Sequence, residues 1–303
     1  MHYLITGSSG QLARAFQARF EALGADYAAP PEADLDITDA EAVRSGLDAL
    51  KPDIVLNCAA YNDVERAETA PAPAFAVNEL GVKNLAEACA DSAIRLVHYG
   101  TDYIFDGAKE GLYTEDDTPN PLNQYGASKL AGEKVVLAGS QCQRRAGRNT
   151  QPAIDIPQPS PHALLLRTSW VFGNGTQNFF HKLVQWSRTR DVMKVVWDQI
   201  SVPTYTEDIV TYTLKALDVG LYGTFHLTNT GYASRYETAR HFFKLAGIDM
   251  IVLPVASSYF GDSVNRPFFS AMSNRTLADA LGTDIPAWQD AVTRYVKGSE
   301  QWE

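Results

Sequence analysis

Short apolar runs alternate with amphipathic stretches along the first 100 residues. Tyr3–Thr6 is a brief β-type run ending in Gly7-Ser8-Ser9-Gly10. Across Gln11–Leu23, the positions Leu12, Ala15, Phe16, Arg19, Phe20 and Leu23 recur at three- and four-residue spacings, which predicts a helix. Asp26–Ala29 is a candidate second strand, Ile54-Val55-Leu56 a third and Arg95–Tyr99 a fourth, with a helix predicted over Phe75–Ala90. Strands that alternate with helices imply a doubly wound α/β fold, a parallel sheet covered on both faces and joined by right-handed crossovers.

The rhythm dissolves between Gln141 and His162, where four prolines and many polar residues cannot supply a core, so a long surface insertion is expected. It resumes at Ala163-Leu164-Leu165-Leu166, another buried-strand run. Helices are predicted over Asn178–Arg188, Glu207–Asp218, Arg235–Leu245 and Asp290–Lys297, and no internal repeat is present.

Composition narrows the class. The 303 residues carry 36 acidic against 26 basic side chains, a net charge of −10, which argues against partners that need a basic face, nucleic acid and anionic membrane among them. Cys58, Cys89 and Cys142 are an odd number without CxxC spacing, so neither a disulfide framework nor a zinc site is expected, in keeping with a reducing cytosol. No apolar run approaches the ~20 residues that cross a bilayer. Tyr3–Thr6 follows so closely on Met1 that no signal peptide is expected. A cytoplasmic enzyme is the expectation.

Thr6-Gly7-Ser8-Ser9-Gly10-Gln11-Leu12-Ala13 lies where a strand ends and a helix opens, a place where backbone N–H groups and the helix dipole favour a pyrophosphate. Gly7 permits the tight turn, Gly10 lets the backbone approach phosphates, and Ala13 is small enough for close helix–strand packing. With Gln11 and Leu12 these residues are candidates for binding a dinucleotide on a Rossmann-type sheet. The Gly-x-x-Gly-x-x-Ala spacing points to the short-chain dehydrogenase/reductase group. Residues 29–34 offer no arginine for a 2′-phosphate, and Asp36 and Ile37 are expected beside the adenine. The lack of basic residues leans toward NADH and leaves NADPH open.

Tyr125-Gly126-Ala127-Ser128-Lys129 places a phenol and an ammonium four residues apart, on one face of a helix. A phenol with an ordinary pKa of about 10 becomes a useful acid–base group near neutrality when a lysine favours its phenolate. The same lysine can hold a nicotinamide ribose. Thr101, in Tyr99-Gly100-Thr101-Asp102-Tyr103, falls at a strand's carboxyl end, where open parallel sheets bind ligands, and its hydroxyl can hold a carbonyl near Tyr125. The alternatives are a surface Tyr/Lys pair and a turn satisfied by its own side chains.

Together these segments resemble the extended short-chain dehydrogenases/reductases, and within them the dTDP-4-dehydrorhamnose reductase family. Further matches are residues 34–39, 57–68, 76–81, 121–133, 166–173, Asn178-Phe179, Pro203-Thr204 and Arg266-Pro267. The resemblance implies a Rossmann-type doubly wound sheet over residues 1–170, with the 141–162 insertion and part of 195–228 rejoining it, and a smaller C-terminal α/β portion over 171–303 that binds substrate. It implies reduction of the C4 ketone of dTDP-4-dehydro-β-L-rhamnose by NADPH or NADH, with Tyr125 as proton donor, Thr101 sharing the reacting oxygen and Lys129 holding the ribose. Ala60, Tyr61, Asn62 and Tyr99 would border the cofactor. Asp102, Trp170 and Asn178 would meet the dTDP-linked 4-keto-6-deoxy sugar, and Arg266 is a candidate for its diphosphate. Trp170 as a core aromatic and Arg266 as a surface or capping residue are the bland alternatives. Asn78, by the same resemblance, would support the active-site backbone.

The chain departs from the family pattern at Ala13, at Glu65, at Ser234-Arg235 where Ser-Trp is common, and in the length of residues 141–162. Ala15 and its neighbours supply no glutamate of the kind that bridges some dimers through magnesium, so no metal is expected; a homodimer stays open. Two competitors share the motifs: a reductase or epimerase of another nucleotide sugar, and a non-catalytic regulatory subunit of the same fold.

Overall fold

The computed structural model describes residues 1–138, 163–261 and 264–298. The 141–162 segment predicted as an insertion lies outside the described residues. The chain opens with β1 (His2–Thr6) and α1 (Gln11–Leu23), whose Ala13, Ala15, Phe16 and Phe20 are buried against the sheet. Gly24, in the left-handed conformation, ends the helix by returning its N–H to Glu21 and Phe20. Leu23, on the predicted apolar stripe, is exposed, since the stripe turns away from the sheet in that last turn.

Next come β2 (Asp26–Ala28), α2 (Ala40–Leu50) and β3 (Ile54–Asn57). The periodicity did not mark α2; Asp39 caps it by accepting from Glu41 N and Ala42 N. The single helix expected over Phe75–Ala90 is three pieces: α4 (Pro71–Phe75), a π-helical turn at Ala76–Gly81, and α5 (Val82–Asp91), after the short α3 (Val64–Thr69). β4 (Arg95–Thr101) runs two residues beyond the predicted strand and so carries Thr101 at its tip. α6 (Gln124–Ala138) and β5 (Ala163–Thr168) follow.

The sheet has six strands in the order β8-β5-β4-β3-β1-β2, all parallel, with β8 (Gly223–His226) at one edge. The fold is thus a Rossmann-type doubly wound sheet. The order reverses between β1 and β3, and there Thr6 Oγ1 donates to Asn57 Oδ1 at 2.7 Å, tying the two strand ends together. One face packs Phe16, Tyr99 and Leu166 against Ile209, Val210 and Leu217 of α8 (Thr206–Asp218). The other packs Leu4, Val55 and Leu96 against Val43, Leu47, Leu85 and Val136.

The smaller C-terminal α/β portion has its own core. Phe172 and Phe180 meet Met193, Phe242, Trp288 and Tyr295 there. It is built from β6 (Val171–Phe172), α7 (Phe179–Ser187), the parallel ribbon of β7 (Val192–Val196) with a late strand at Ile251–Val255, α9 (Arg235–Ala246) and a final helix at Trp288–Gly298. Among the described residues no helix is long and apolar enough to cross a membrane.

Candidate active site

The carboxyl ends of the central strands open on a cleft of about 520 Å³. Gly10, Gln11 and Leu12 line one end, Ala60 and Asn62 a side, Thr101 with Tyr125 and Lys129 the floor, and Trp170 with Arg235 the far wall. Gly7 holds φ +62°, and a Cβ there would stand 2.7 Å from the Ala59 backbone, so glycine is required on two counts. A Cβ at Gly10 would likewise crowd the Gly7 carbonyl at 3.2 Å. α1 has no side-chain cap and no acidic residue in its first turn, so its first N–H groups are left for an anion. The loop therefore fits a dinucleotide's phosphates. Gln11 reaches across to donate to the Val171 carbonyl at 3.1 Å, joining the loop to the far wall.

Tyr125 and Lys129 stand one turn apart on α6, both buried. The Tyr125 hydroxyl donates to Asn62 Oδ1 at 3.3 Å, has the Thr101 hydroxyl beside it, and its ring meets Tyr103 edge-on at 5.7 Å. Lys129 Nζ donates to the Tyr99 carbonyl at 2.7 Å. Burial pushes the Tyr125 phenol up, with the Thr101 hydrogen bond opposing. The sequence predicts that the lysine lowers it, but in this structure burial raises it, Asp102 and Tyr103 push it the same way, and the ammonium is turned to Tyr99. Burial lowers Lys129 to about 8, opposed by Glu133 one turn further along.

The π-helical turn explains the shape of the cleft's side. Asn78 sits in it, buried, accepting from Tyr61 N at 2.9 Å and donating to Tyr61 O and to Ser128 Oγ, each at 3.0 Å. One side chain thus fixes the Ala60–Asn62 strip to the helix that carries Tyr125. The helix comes this close because residue 132 is glycine: a Cβ there would overlap the Asn78 carbonyl at 2.0 Å. Widened π turns recur at functional sites.

Other expected residues lie differently. Tyr99 offers the cleft its backbone, while its hydroxyl pairs with Thr213 in the core at 3.1 Å. Asp102 lines the cleft, yet its Oδ2 accepts from Ser201 at 2.7 Å and Ser270 at 2.6 Å, a pin between the sheet and the C-terminal portion. Asn178 caps α7 and donates to the Gly173 and Gly175 carbonyls, so its amide shapes a loop around a neighbouring cavity. Asp36 accepts from its own loop at Thr38, and Ile37 is buried against Gly81; neither lines the cleft. Arg266 pairs with Glu65 outside the cleft lining.

Trp170 has φ +38°, unusual for any residue but glycine. Left-handed backbone at a bulky residue costs about 1–3 kcal/mol, a cost that folds tend to retain where the side chain is used. Here it turns the indole toward the cleft, where the Arg235 guanidinium stacks on it at 3.6 Å.

The chain matches the family model described as the RmlD substrate binding domain over residues 1–147 and 152–300. It is 34% identical to a dTDP-4-keto-6-deoxy-D-glucose reductase of Streptomyces niveus, over 96% of this chain and 95% of that one. The crystal structure of a dTDP-4-dehydrorhamnose reductase from Clostridium acetobutylicum superposes with a TM-score of 0.88 at 34% identity, covering 98% of this chain and 99% of that one. The chain belongs to the dTDP-4-dehydrorhamnose reductase family. A further member, from Bacillus anthracis and solved in complex with NADP, superposes at TM-score 0.87 with 31% identity, covering 98% of this chain and 99% of that one.

For a member of the dTDP-4-dehydrorhamnose reductase family, the sequence motifs left several positioning groups unmarked. Ser128, between Tyr125 and Lys129, takes the Asn78 bond and donates to Tyr125 O at 2.8 Å. Glu133 and Arg167 form a buried ion pair beneath Gly100, with two nitrogens at 3.0 Å from Glu133 Oε2. The Gly-Glu pair at the end of the Lys129-Leu130-Ala131-Gly132-Glu133 run was the available signal. Nothing in the local sequence brings Arg235 to Trp170.

Proposed function

We propose that this protein is an NAD(P)H-dependent reductase that converts the C4 ketone of dTDP-4-dehydro-β-L-rhamnose to the alcohol of dTDP-L-rhamnose, working in the cytoplasm. The observation that carries the reading is the Thr101–Tyr125–Lys129 constellation on the floor of a cleft that also holds the glycine loop. In domain terms, residues 1–170, rejoined by part of 195–228, take the cofactor, and most of 171–303 takes the sugar nucleotide.

Gly10, Gln11, Leu12, Ala60, Asn62 and Lys129 would hold the dinucleotide, which supplies a hydride when bound. Burial keeps the Tyr125 phenol protonated, as a proton donor must be. Tyr125 gives that proton to the oxygen at C4 as negative charge develops there. The Thr101 hydroxyl donates to the same oxygen, an interaction that strengthens only as the charge appears. Lys129 stabilises the phenolate left behind, and the low polarity that depresses its own pKa also strengthens that attraction. Asn62 and Asn78 keep the tyrosine aimed.

The test mixes the protein with dTDP-4-dehydro-6-deoxyglucose, the 3,5-epimerase that makes the L-sugar, and NADPH or NADH. Loss of reduced-nicotinamide absorbance that requires the epimerase and yields dTDP-L-rhamnose by NMR is the expected result. A second reading is favoured by the Streptomyces niveus relative, whose name assigns it the unepimerised sugar. Equal oxidation without the epimerase, yielding a D-configured 6-deoxy sugar, would establish that one instead.

A further inference from the structure

A second cavity of about 260 Å³ lies between α7 and α9, lined by Phe172, Asn178, Phe179 and Lys182. It shares Trp170, Val171, Gln177 and Arg235 with the cleft that holds Tyr125. Arg235 therefore stands at the junction of two spaces.

Its environment is unusual for a cation. The guanidinium lies over the Trp170 ring, 3.6 Å from its centre, with the Phe179 ring centre at 5.1 Å, so its fork of N–H donors is held against the indole. None of the ion pairs among the described residues includes it. Among the described residues, Tyr103 is a side-chain hydrogen-bond partner of it. The acid nearest in effect, Asp102, spends Oδ2 on Ser201 and Ser270. Arg266 is close enough to repel it, and reaches the same Tyr103. This half-buried guanidinium, without an ion pair among the described residues and beside a like charge, is a favourable place for a bound anion.

The ligand that matches is one with two bulky ends joined by an anionic middle. We propose that Arg235 binds the diphosphate bridge of the sugar nucleotide, with Trp170 holding its guanidinium flat, and so sets this protein's preference for nucleoside-diphosphate-linked substrates. The sugar then reaches Tyr125 in the larger cleft, and the nucleoside occupies the cavity beside Phe179. This assignment rests on the reductase reading above, and concerns a position where the chain departs from the family pattern.

The test titrates thymidine diphosphate, thymidine and NADP⁺ into the full chain and into Arg235→Gln and Arg235→Lys, with ligand-observed NMR for the weaker thymidine. Arg235→Gln should weaken thymidine diphosphate about 30-fold or more, as expected when one partner of a buried charged pair is removed. Thymidine and NADP⁺ should stay within about twofold, and Arg235→Lys should fall between wild type and Gln, since lysine keeps charge but not the fork. Unchanged diphosphate affinity in both variants overturns the assignment alone. So does equal weakening of thymidine and its diphosphate, which marks a displaced Trp170. Wild-type protein that binds NADP⁺ but neither thymidine compound overturns the assignment and the sugar-nucleotide reading together.

Discussion

The two ends of the cleft are made in opposite ways. At the α1 end, an anion site is built from backbone: Gly7 turns under Ala59, Gly10 opens the helix, and eight consecutive residues do the work. At the far wall, Trp170 and Arg235 come from segments 65 residues apart, and both matter through their side chains. Backbone sites are defined by what must be absent, a Cβ; side-chain sites by what must converge. Substitution should therefore act steeply and locally at the first, and by degrees at the second.

The floor between the two ends is the reference point. Tyr125→Phe is expected to lower kcat by about 10²–10⁴-fold, the usual worth of a positioned proton donor. NADP⁺ affinity should stay within about twofold. Equal losses in both would show that the phenol holds the cofactor instead of serving chemistry.

Gly7→Ala should strike the backbone end hardest. The new methyl would lie 2.7 Å from the Ala59 backbone at a positive φ, so the loop must move. Cofactor affinity should fall at least about tenfold, one step of roughly 1.4 kcal/mol, while thymidine diphosphate binding is spared. Calorimetric titration of both ligands separates the two ends, and a variant that binds NADP⁺ normally would break the contrast.

Titration supplies an effect of intermediate size. Lys129 is lowered from 10.5 to about 8 by burial, so the ammonium that supports Tyr125 is lost as pH rises through about 8. kcat/KM should then fall toward a tenfold loss per pH unit above that point. Stability runs the other way. The unfolded chain holds this proton up to 10.5 and the folded chain releases it near 8, so the group's contribution to stability rises between those values. The wild-type rate profile, set beside melting of wild type and Lys129→Met across that window, checks both signs.

The smallest effect belongs to the far wall. Trp170→Gly removes the strained φ of +38° and the indole together. KM for the sugar nucleotide should rise several-fold, while relief of a strain of about 1–3 kcal/mol offsets the lost packing. An unchanged or higher melting temperature with weaker substrate binding is the expected signature. A large fall in melting temperature would recast Trp170 as a core residue.

Asp102 shows how a motif can be placed correctly and still be underdetermined. Its position at the strand's end was evident from Tyr99-Gly100-Thr101-Asp102. Ser201 and Ser270, which take its carboxylate, lie 99 and 168 residues away. Asn178 is similar: the motif is present, but the amide caps α7. The π turn at Asn78 was invisible to a 3.6-residue periodicity, because one inserted residue leaves the apolar pattern on either side intact.

The doubly wound sheet, the glycine loop and the Tyr125/Lys129 pair are all legible in the order of residues. Each rests on short-range rules: strand and helix periodicity, the steric needs of one turn, the four-residue spacing of a helix face. Family membership is legible as well, through the order and spacing of many such segments. Packing of remote segments is what sets Arg235 on Trp170, makes Asn78 brace Tyr61 against Ser128, and lets burial shift the protonation of Tyr125 and Lys129. These depend on distances between segments remote in the chain and on the exclusion of water from the space they enclose. Neither quantity exists until the sheet and the C-terminal core have closed on each other.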